Sequence, residues 1–207
     1  MRLVLLRPPG SGKGTLGASL SASFSIPHLS TGELLRAAIR EGNEEARVIL
    51  SGAFVSDEVA NRLILPRIAH LPGFILDGYP RTLAQAEALD AATHIDAVLL
   101  LELDNATLEQ RIAGRRVCVS CGKGYHLLVA PPKVDGVCDH CGGALAPRPE
   151  EDTAEKRLTR TNLYRELTTP LIVFYRGAGR LFSIDAEGSP EKVVKLSEKV
   201  LKSLDSP

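Results

Sequence analysis

The sequence predicts an α/β fold in which helices cover both faces of a parallel sheet. Three observations support this prediction. Strand-like and helix-like patterns alternate along most of the 207 residues, which is typical of parallel strands joined by helical crossovers. The strand-like runs at residues 3–6, 74–76 and 98–103 are short and mostly apolar, as expected of strands buried on both faces. The first run leads directly into a glycine-rich loop and a helix.

That loop is the segment Pro9-Gly10-Ser11-Gly12-Lys13-Gly14-Thr15. Glycines let several backbone N–H groups point into one hollow, and a helix that begins at Lys13 adds the positive end of its dipole. A polyphosphate fits such a hollow, with the Lys13 ammonium beside its β- and γ-phosphates and the Thr15 hydroxyl near a magnesium ion. The usual motif has glycine in place of Arg7 and a hydroxyl residue in place of Gly14. A plain strand-to-helix turn is the alternative interpretation.

The remaining elements follow in order along the chain. Predicted helices cover residues 13–24, 31–40, 44–50, 57–69, 83–92, 106–114 and 153–176 and the segment after Ser189, and a last strand covers residues 181–184. Ser30 and Glu33 form a Ser-x-x-Glu pattern, which predicts a capping box at the start of the second helix. Pro66 is expected to bend the helix that contains it.

Composition narrows the possible partners. The chain carries 25 basic and 25 acidic residues and has a formal net charge of zero, so no overall positive charge favours nucleic acid or a membrane surface. The longest apolar runs, such as residues 97–101, are too short to span a bilayer, and residues 1–6 lead into the glycine-rich loop instead of a cleavage site. We expect a cytoplasmic protein that binds neither nucleic acid nor membranes, and we expect a monomer.

All four cysteines lie in one stretch, as Cys118-x2-Cys121 and Cys138-x2-Cys141, with 16 residues between the pairs. This spacing is typical of a structural zinc site with four thiolate ligands. A rubredoxin-like iron site uses the same ligands, and two disulfides are the alternative that a reducing cytosol disfavours. His126 and His140 could substitute as ligands, but four thiolates already complete the site, so we expect both to be surface residues.

Five motifs follow one another along the chain. They are the glycine-rich segment 9–15, Ser30-Thr31-Gly32-Glu33-Leu34-Leu35-Arg36, Gly73-Phe74-Ile75-Leu76-Asp77-Gly78-Tyr79-Pro80-Arg81-Thr82, Arg111-x3-Arg115-Arg116 and the cysteine segment. The chain therefore resembles, over nearly its whole length, the bacterial adenylate kinases with a long zinc-binding lid, within the nucleoside monophosphate kinase family. The resemblance implies reversible transfer of a phosphoryl group from ATP to AMP, which gives two ADP and maintains the balance of adenine nucleotides.

The resemblance also implies a division of the chain. A P-loop NTPase-type core would comprise residues 1–29, 60–115 and 153–207. Residues 30–59 would form a helical AMP-binding segment, and residues 116–152 would form a small zinc-ribbon lid that closes over the phosphates. Phosphoryl transfer depends on positioning and on the neutralisation of charge, so arginines are expected to converge on both nucleotides.

Individual roles follow from the same resemblance. The implied ATP contacts are Gly10, Ser11, Gly12, Lys13, Gly14, Thr15, Arg111 and Arg115. The implied AMP contacts are Thr31, Arg36, Val55, Gly78, Arg81, Gln85, Arg148 and Arg160. The implied catalytic residues are Lys13, Arg81, Arg115, Arg148 and Arg160. Asp77 would hold Mg²⁺ through water, and zinc would be bound by Cys118, Cys121, Cys138 and Cys141.

Some alternatives stay open at this point. Counting back from the later Thr-x-Pro-Leu motif places Arg160 in the family's arginine position, whereas counting forward from Arg148 makes Arg157 a competing match. A kinase acting on UMP, CMP or another monophosphate would share the loop and the arginines, although Thr31 and Gln85 favour adenine. A non-enzymatic ATP-binding zinc-ribbon module that contacts nucleic acid is a more distant alternative.

Overall fold

The computed structural model describes residues 1–6, 13–128, 130–147 and 154–204. The predicted site residues Gly10, Ser11, Gly12 and Arg148 lie outside these residues, and so does Arg7. The side chains of Lys13, Arg157 and Arg160 also lie outside what the structure describes. The choice between Arg157 and Arg160 therefore stays a prediction.

Strands and helices alternate through most of the described chain. The strands are β1 (Arg2–Leu6), β2 (His28–Ser30), β3 (Phe74–Asp77), β4 (Ala97–Glu102), β5 (Arg115–Cys118), β6 (Gly124–His126), β7 (Leu145–Ala146) and β8 (Leu181–Asp185). The helices are α1 (Lys13–Phe24), α2 (Thr31–Arg40), α3 (Asp57–Ile68), α4 (Leu83–Ala92), α5 (Asn105–Ala113), α6 (Ala154–Leu163), α7 (Thr169–Gly177) and α8 (Pro190–Leu204). A 3-10 helix (Glu45–Ser51) and a π-helical segment (Tyr164–Thr168) complete the regular structure in these ranges.

Within the described residues, five strands form a parallel sheet in the order β2-β3-β1-β4-β8. Its side chains alternate between two apolar layers, because successive residues of a strand point to opposite faces. Val4 and Leu6 pack with α3, α4 and α7, whereas Leu3 and Leu5 pack with α1 and α8. Both faces are thus covered, and the predicted fold class is confirmed.

The register of the strands brings three of their carboxyl ends together. Asp77 of β3 lies opposite Leu5 of β1 on one side and Ser30 of β2 on the other. The helix α2 begins at Thr31, immediately after β2. In open α/β sheets, ligands bind at the carboxyl ends of the strands, so this edge is the expected place for a site.

One detail of the predicted elements is wrong. The helix α2 has the predicted bounds, but the Ser30 side chain makes no capping hydrogen bond. Ser30 is also the last residue of β2, a three-residue strand that the sequence did not reveal, and its backbone is extended (φ −95°, ψ 113°). Pairing with β3 thus places the residue at the end of a strand, and the predicted capping box does not form.

The predicted long helix over residues 153–176 is confirmed, because residues 154–177 are helical without a break. The structure adds a detail, a π-helical turn at Tyr164–Thr168 between α6 and α7. Pro170 lies in the first turn of α7, and proline has no N–H to donate to the preceding turn. Thr169 instead donates both its backbone N–H and its hydroxyl to the carbonyl oxygen of Tyr164, which is a π-type pairing.

The cysteine segment contains a small antiparallel sheet in which β5 pairs with β6 on one side and β7 on the other. Its apolar cluster is small and consists of Cys118, Tyr125 and Cys138, with Leu145 packed against it. Across the described ranges, no helix combines the length and the apolar character needed to cross a membrane.

Candidate active site

A cleft with a volume of about 70 Å³ opens at the carboxyl edge of the sheet. It lies between the loop after β3, the start of α2 and the chain that leads into α3. Its lining is Thr31, Gly32, Leu35, Arg36, Ile49, Ala53, Phe54, Val55, Ala60, Gly78, Arg81 and Gln85. The structure thus brings together six of the predicted acceptor-site residues. The first and last of them, Thr31 and Gln85, are 54 positions apart in the sequence.

Gly78 determines where one cleft arginine lies. Its φ of +84° is in the left-handed region, which glycine adopts without steric cost. The Nε–H of Arg81 donates to the Gly78 carbonyl at 2.9 Å. A Cβ added at Gly78 would lie 3.2 Å from Arg81 Nη2 and 3.7 Å from Thr31 Cβ. The absence of a side chain therefore allows the guanidinium to lie close to the backbone.

A second arginine that lines the cleft also lies close to a glycine. A Cβ added at Gly32 would lie 3.3 Å from Arg36 Nη1. Both Arg36 and Arg81 line the cleft, so an anionic ligand in the cleft would lie beside two arginines. Guanidinium groups bind phosphate through paired hydrogen bonds.

Gln85 supports this arrangement through its side-chain amide. Its Oε1 accepts the Arg81 backbone N–H at 2.8 Å, and its Nε2 donates to Asp57 Oδ1 at 2.7 Å. Asp57 Oδ1 also accepts the Thr82 hydroxyl at 2.8 Å. Gln85 is only 2% exposed, and both ends of its amide contact protein groups. We therefore interpret it as a residue that holds the Arg81 loop, in addition to its predicted place beside the base.

Asp57 does not line the cleft, but it holds the Gln85 side chain, and it was not among the predicted site residues. The only local signal is its position as the first residue of a helix, after Ser56, whose side chain accepts the Val59 N–H. Acidic residues are common at that position, so the signal does not indicate a partner. Its pairing with Gln85 depends on the tertiary structure.

Thr31 offers an unused hydrogen-bonding group to the cleft. The residue is 4% exposed, and its Oγ1 has no hydrogen-bond partner among the described residues. Buried hydroxyl groups usually have a partner, because burial without one costs about 1–3 kcal/mol. A ligand in the cleft would supply that partner.

Asp77 occupies the sheet edge beside the cleft. It ends β3 and is 9% exposed. His28 Nε2 lies 3.8 Å from Asp77 Oδ2, and a Cβ at Gly17 would lie 2.4 Å from the same nitrogen. Gly17 of α1 therefore gives the His28 ring its place beside Asp77. Sequence reasoning singled out Asp77 but neither His28 nor Gly17.

The predicted donor side is described only in part. Gly14 and Thr15 are exposed in the first turn of α1. Arg111 lies in the last turn of α5, and its Nη2 donates to the carbonyl oxygens of Ala186 and Gly188, both at 3.0 Å. Arg115 begins β5 and pairs with His126 of β6. Their contacts to ATP stay predictions.

The four cysteines form the metal-ligand group found among the described residues, and their sulfur atoms all lie within 4.8 Å of one another. The Sγ distances are 3.4 Å for Cys118 and Cys141 and 3.7 Å for Cys121 and Cys138. Zinc–sulfur bonds of about 2.3 Å in a tetrahedron place the sulfurs about 3.8 Å apart. The four thiols are free, and their arrangement therefore fits one tetrahedral metal ion. Iron would fit equally well.

Backbone turns bring these sulfurs together. Gly122 and Gly142 have φ values of +76° and +72°, and their N–H groups donate to the carbonyl oxygens of Cys118 and Cys138. Left-handed residues at equivalent positions therefore close both Cys-x2-Cys turns. The metal-ligand group of the described residues contains neither His126 nor His140.

Tyr125 links this cluster to the neighbouring backbone. Its hydroxyl accepts the Asp139 N–H at 2.8 Å and lies 3.3 Å from Cys138 Sγ. Burial alone would raise the pKa of the Cys138 thiol. Hydrogen bonds from Tyr125 and from the backbone of Cys141 and His140 outweigh that effect and lower the pKa to about 6. Cysteine ligands of zinc must be thiolates, and this environment favours the thiolate at Cys138. At Cys141 a backbone hydrogen bond from Gly143 acts in the same direction, but contacts with the Cys118 and Cys121 thiols outweigh it and raise the pKa.

Comparisons with known proteins agree with this geometry. The family model described as adenylate kinase matches residues 5–180. The chain is 41% identical over 213 aligned residues to an adenylate kinase of Fervidobacterium nodosum, covering 97% of each protein. It is 44% identical over 201 residues to one of Treponema denticola, covering 94% of this chain and 96% of that protein. It is 45% identical over 205 residues to one of Citrifermentans bemidjiense, covering 93% and 95%. On this evidence the chain belongs to the adenylate kinase family and is an enzyme.

Proposed function

We propose that this enzyme transfers the γ-phosphoryl group of ATP to AMP, with two molecules of ADP as the products, and that it catalyses the reverse reaction. The observation that carries the proposal is the cleft in which Arg36 and Arg81 lie against glycine backbone near the buried hydroxyl of Thr31. Two guanidinium groups match the charge of one phosphate monoester, and a buried hydroxyl can bind a base. Membership of the family supports adenine on both nucleotides.

In the proposed reaction, a phosphate oxygen of AMP attacks the γ-phosphorus of ATP. The bond from that phosphorus to the β,γ-bridging oxygen breaks, and ADP leaves with the bonding electron pair. Arg36 and Arg81 hold the attacking phosphate and reduce its repulsion from ATP. Val55 and Gly78 lie where they would contact AMP.

On the donor side, we assign the ATP phosphates to Gly10, Ser11, Gly12, Lys13, Gly14 and Thr15, and the adenine to Arg111. Arg115, Arg148 and Arg160 would gather around the transferred group, with Arg157 as the alternative to Arg160. Magnesium bound with ATP would neutralise phosphate charge, held through water by Asp77. The support for Asp77 is its place at the carboxyl edge of the sheet, next to the strand that precedes the loop.

We also propose that residues 116–152 form a zinc-stabilised lid, that residues 30–59 form the AMP-binding segment, and that residues 1–29, 60–115 and 153–207 form the core. The separate small sheet and its small apolar cluster support a lid that needs metal to hold it together. Closure would exclude water that could otherwise accept the phosphoryl group. The proposal includes a cytoplasmic monomer, and light scattering tests the monomeric state.

The substrate test is a coupled assay of ADP formation from MgATP with AMP, UMP, CMP or GMP as the acceptor. We expect kcat/KM to be highest with AMP, and no turnover when magnesium is chelated. Preference for another monophosphate would overturn the adenine assignment while keeping a nucleotide kinase. No turnover with any acceptor would favour a binding module.

Two variants test the assigned roles. Lys13→Met should lower turnover at least about 100-fold, because one electrostatic contact to a transition state is typically worth about that much. Retention of more than about a tenth of the activity would contradict the role of the lysine.

Arg81→Lys keeps the charge but loses the planar fork, so we expect poorer use of AMP, seen as a lower kcat/KM for AMP, with little change in the KM for ATP. Equal damage to both nucleotides would remove Arg81 from the acceptor side.

A further inference from the structure

The carboxylate of Asp57 holds the Gln85 side chain from outside the cleft. Its Oδ1 atom accepts a hydrogen bond from Gln85 Nε2 at 2.7 Å and another from the Thr82 hydroxyl at 2.8 Å. Asp57 begins α3, whereas Thr82 caps α4 and Gln85 lies in the first turn of α4. One carboxylate oxygen therefore joins the start of α3 to the start of α4.

The Gln85 amide has only one orientation that satisfies both of its contacts. An ionised carboxylate accepts hydrogen bonds and has none to donate, so the amide nitrogen must face Asp57. The backbone N–H of Arg81 is a donor, and it meets the amide oxygen at 2.8 Å. Exchange of the oxygen and the nitrogen would bring two acceptors together at Asp57 and two donors together at Arg81. The two contacts thus fix which end of the amide carries the oxygen.

The same amide can still pair with a ligand. An amide oxygen has two lone pairs and an amide nitrogen has two hydrogens, and the contacts with Asp57 and Arg81 use one of each. Gln85 lines the cleft, and so does Thr31, whose buried hydroxyl has no hydrogen-bond partner among the described residues. The second lone pair and the second hydrogen of the amide suit a base that carries a donor next to an acceptor.

Adenine and the 6-oxopurines carry these two groups in opposite order. Adenine has an amino donor at position 6 and an acceptor nitrogen at position 1. Guanine and hypoxanthine have an acceptor oxygen at position 6 and an N–H donor at position 1. An amide that can turn over pairs with either kind of base, whereas an amide that is held in one orientation pairs with only one of them at a given place in the cleft.

We propose that Asp57 is a positioning residue that determines the base specificity of the acceptor site, because it holds the Gln85 amide in the orientation that pairs with adenine. This inference rests on the proposed function, in which the acceptor is AMP, and on the place of Gln85 beside its base. Asp57 does not touch the nucleotide and acts through Gln85. A base with the opposite order of groups would leave buried polar groups of the site unpaired, and sites of this kind reject close analogues for that reason.

The test compares AMP with inosine monophosphate (IMP) as the acceptor. IMP has the shape of AMP but carries the 6-oxo group and the N–H at position 1. A hydrogen bond to a charged group corresponds to about a 10–150-fold change in an equilibrium constant, and Asp57→Ala removes the one at Gln85 Nε2. We therefore expect the parent to prefer AMP, and we expect the ratio of kcat/KM for AMP to kcat/KM for IMP to fall about tenfold or more in Asp57→Ala. A displacement of Arg81 would affect both acceptors alike, so the ratio isolates the effect on the base.

Asp57→Asn is the conservative variant. The Thr82 hydroxyl accepts the Gln85 backbone N–H at 3.2 Å, so its own hydrogen needs an acceptor and holds the oxygen of the new side chain at the Oδ1 position. That oxygen can also accept a hydrogen bond from Gln85 Nε2. Because the orientation of the Gln85 amide is kept, we expect the ratio to stay within about threefold of the parent value.

Glu58→Ala is the matched control for the loss of an acidic group from the first turn of α3. Glu58 is the next residue, is exposed and bonds to Ser56 and to its own backbone. Both alanine variants remove one negative charge from the start of the helix, which costs stability, but only Asp57→Ala removes a contact with Gln85. The ratio in Glu58→Ala should therefore stay within about twofold of the parent value.

Calorimetric titration of AMP and of IMP, without ATP, should reproduce the change of ratio in the dissociation constants. A ratio in Asp57→Ala within about twofold of the parent value, or an equal fall in Glu58→Ala or in Asp57→Asn, overturns the inference. If the parent enzyme prefers IMP or another monophosphate, the proposed substrate is wrong, and the change of ratio in Asp57→Ala still decides the role of Asp57.

Discussion

Replacement of Gly78 by alanine tests how closely the acceptor site depends on one backbone position. Gly78 has a φ of +84°, and the left-handed conformation costs an L-residue about 1–2 kcal/mol. For a protein of this length, each kcal/mol lowers the melting temperature by about 2–4 °C. We therefore expect Gly78→Ala to lower the melting temperature by about 2–8 °C.

The added methyl group also affects Arg81. It would lie 3.2 Å from Nη2, so the guanidinium must move by a few tenths of an ångström. A misplacement of about 1 Å in a reacting group costs about 100-fold in rate, so this smaller shift corresponds to about a 3–10-fold loss in kcat/KM for AMP. The KM for ATP should stay within about twofold of the parent, because the donor loop is a separate segment.

The control is Gly179→Ala. Gly179 has a similar φ of +70°, and a Cβ there would meet no atom within 4 Å. It lies in the turn between α7 and β8. Thermal melting and steady-state kinetics with varied AMP should show the same kind of destabilisation in both variants and a loss of AMP use in Gly78→Ala alone. Equal kinetics in the two variants would refute the reasoning about Arg81, and unchanged melting of both would refute the backbone argument.

Three further predictions concern the metal site, a partly buried ion pair and the N-terminal cap of α5. Elemental analysis should find about one zinc per chain, and Cys138→Ser should lose that zinc, melt at a lower temperature and turn over more slowly; disulfides in place of metal would contradict this. Asp90→Asn weakens the pair in which Arg180 Nη1 donates to Asp90 Oδ1 at 3.0 Å. The Asp90 side chain is only 26% exposed and the Arg180 side chain only 17%. We therefore expect a loss of about 1–3 kcal/mol of unfolding free energy, measured by urea denaturation, with no change in the KM for AMP. Hydrogen bonds from the Thr107 hydroxyl and backbone N–H lower the pKa of the Asp104 carboxyl from 3.8 to about 2, so its contribution to stability is present above about pH 4 and is lost as the pH falls towards 2. The difference in melting temperature between the parent and Asp104→Asn should therefore shrink over that range, and a constant difference would contradict the assignment.

The bounds of most elements were predictable because their signals are local. The apolar run at residues 3–6 and the helix at residues 13–24 agree with the structure to within one residue. A central strand that is buried on both faces has a continuous apolar run, and this run can be recognised in the sequence without knowledge of the neighbouring strands. The spacing of the four cysteines is equally local, and it predicted a cluster that the structure brings within 4.8 Å.

The features that the sequence did not predict arise where a neighbouring segment outweighs the local signal. The strand β2 has three residues, all of intermediate burial, and it exists because it pairs with β3. The π-helical segment Tyr164–Thr168 precedes Pro170, and the helical period on either side gives no sign of the extra residue in the turn. Both features depend on hydrogen bonds, and the local sequence does not indicate which groups will form them.

For the site, the sequence by itself predicted which residue types would carry the chemistry, because the glycine loop, the arginines and the cysteines occur in ordered motifs. Only the tertiary structure decided which of them meet. Gln85 reaches Asp57, 28 positions away, and the Phe54 ring meets the Arg81 guanidinium from a different segment of the cleft wall. Such contacts are set by the packing of helices on the sheet, and this depends on the apolar surface of the whole chain and not on any local pattern.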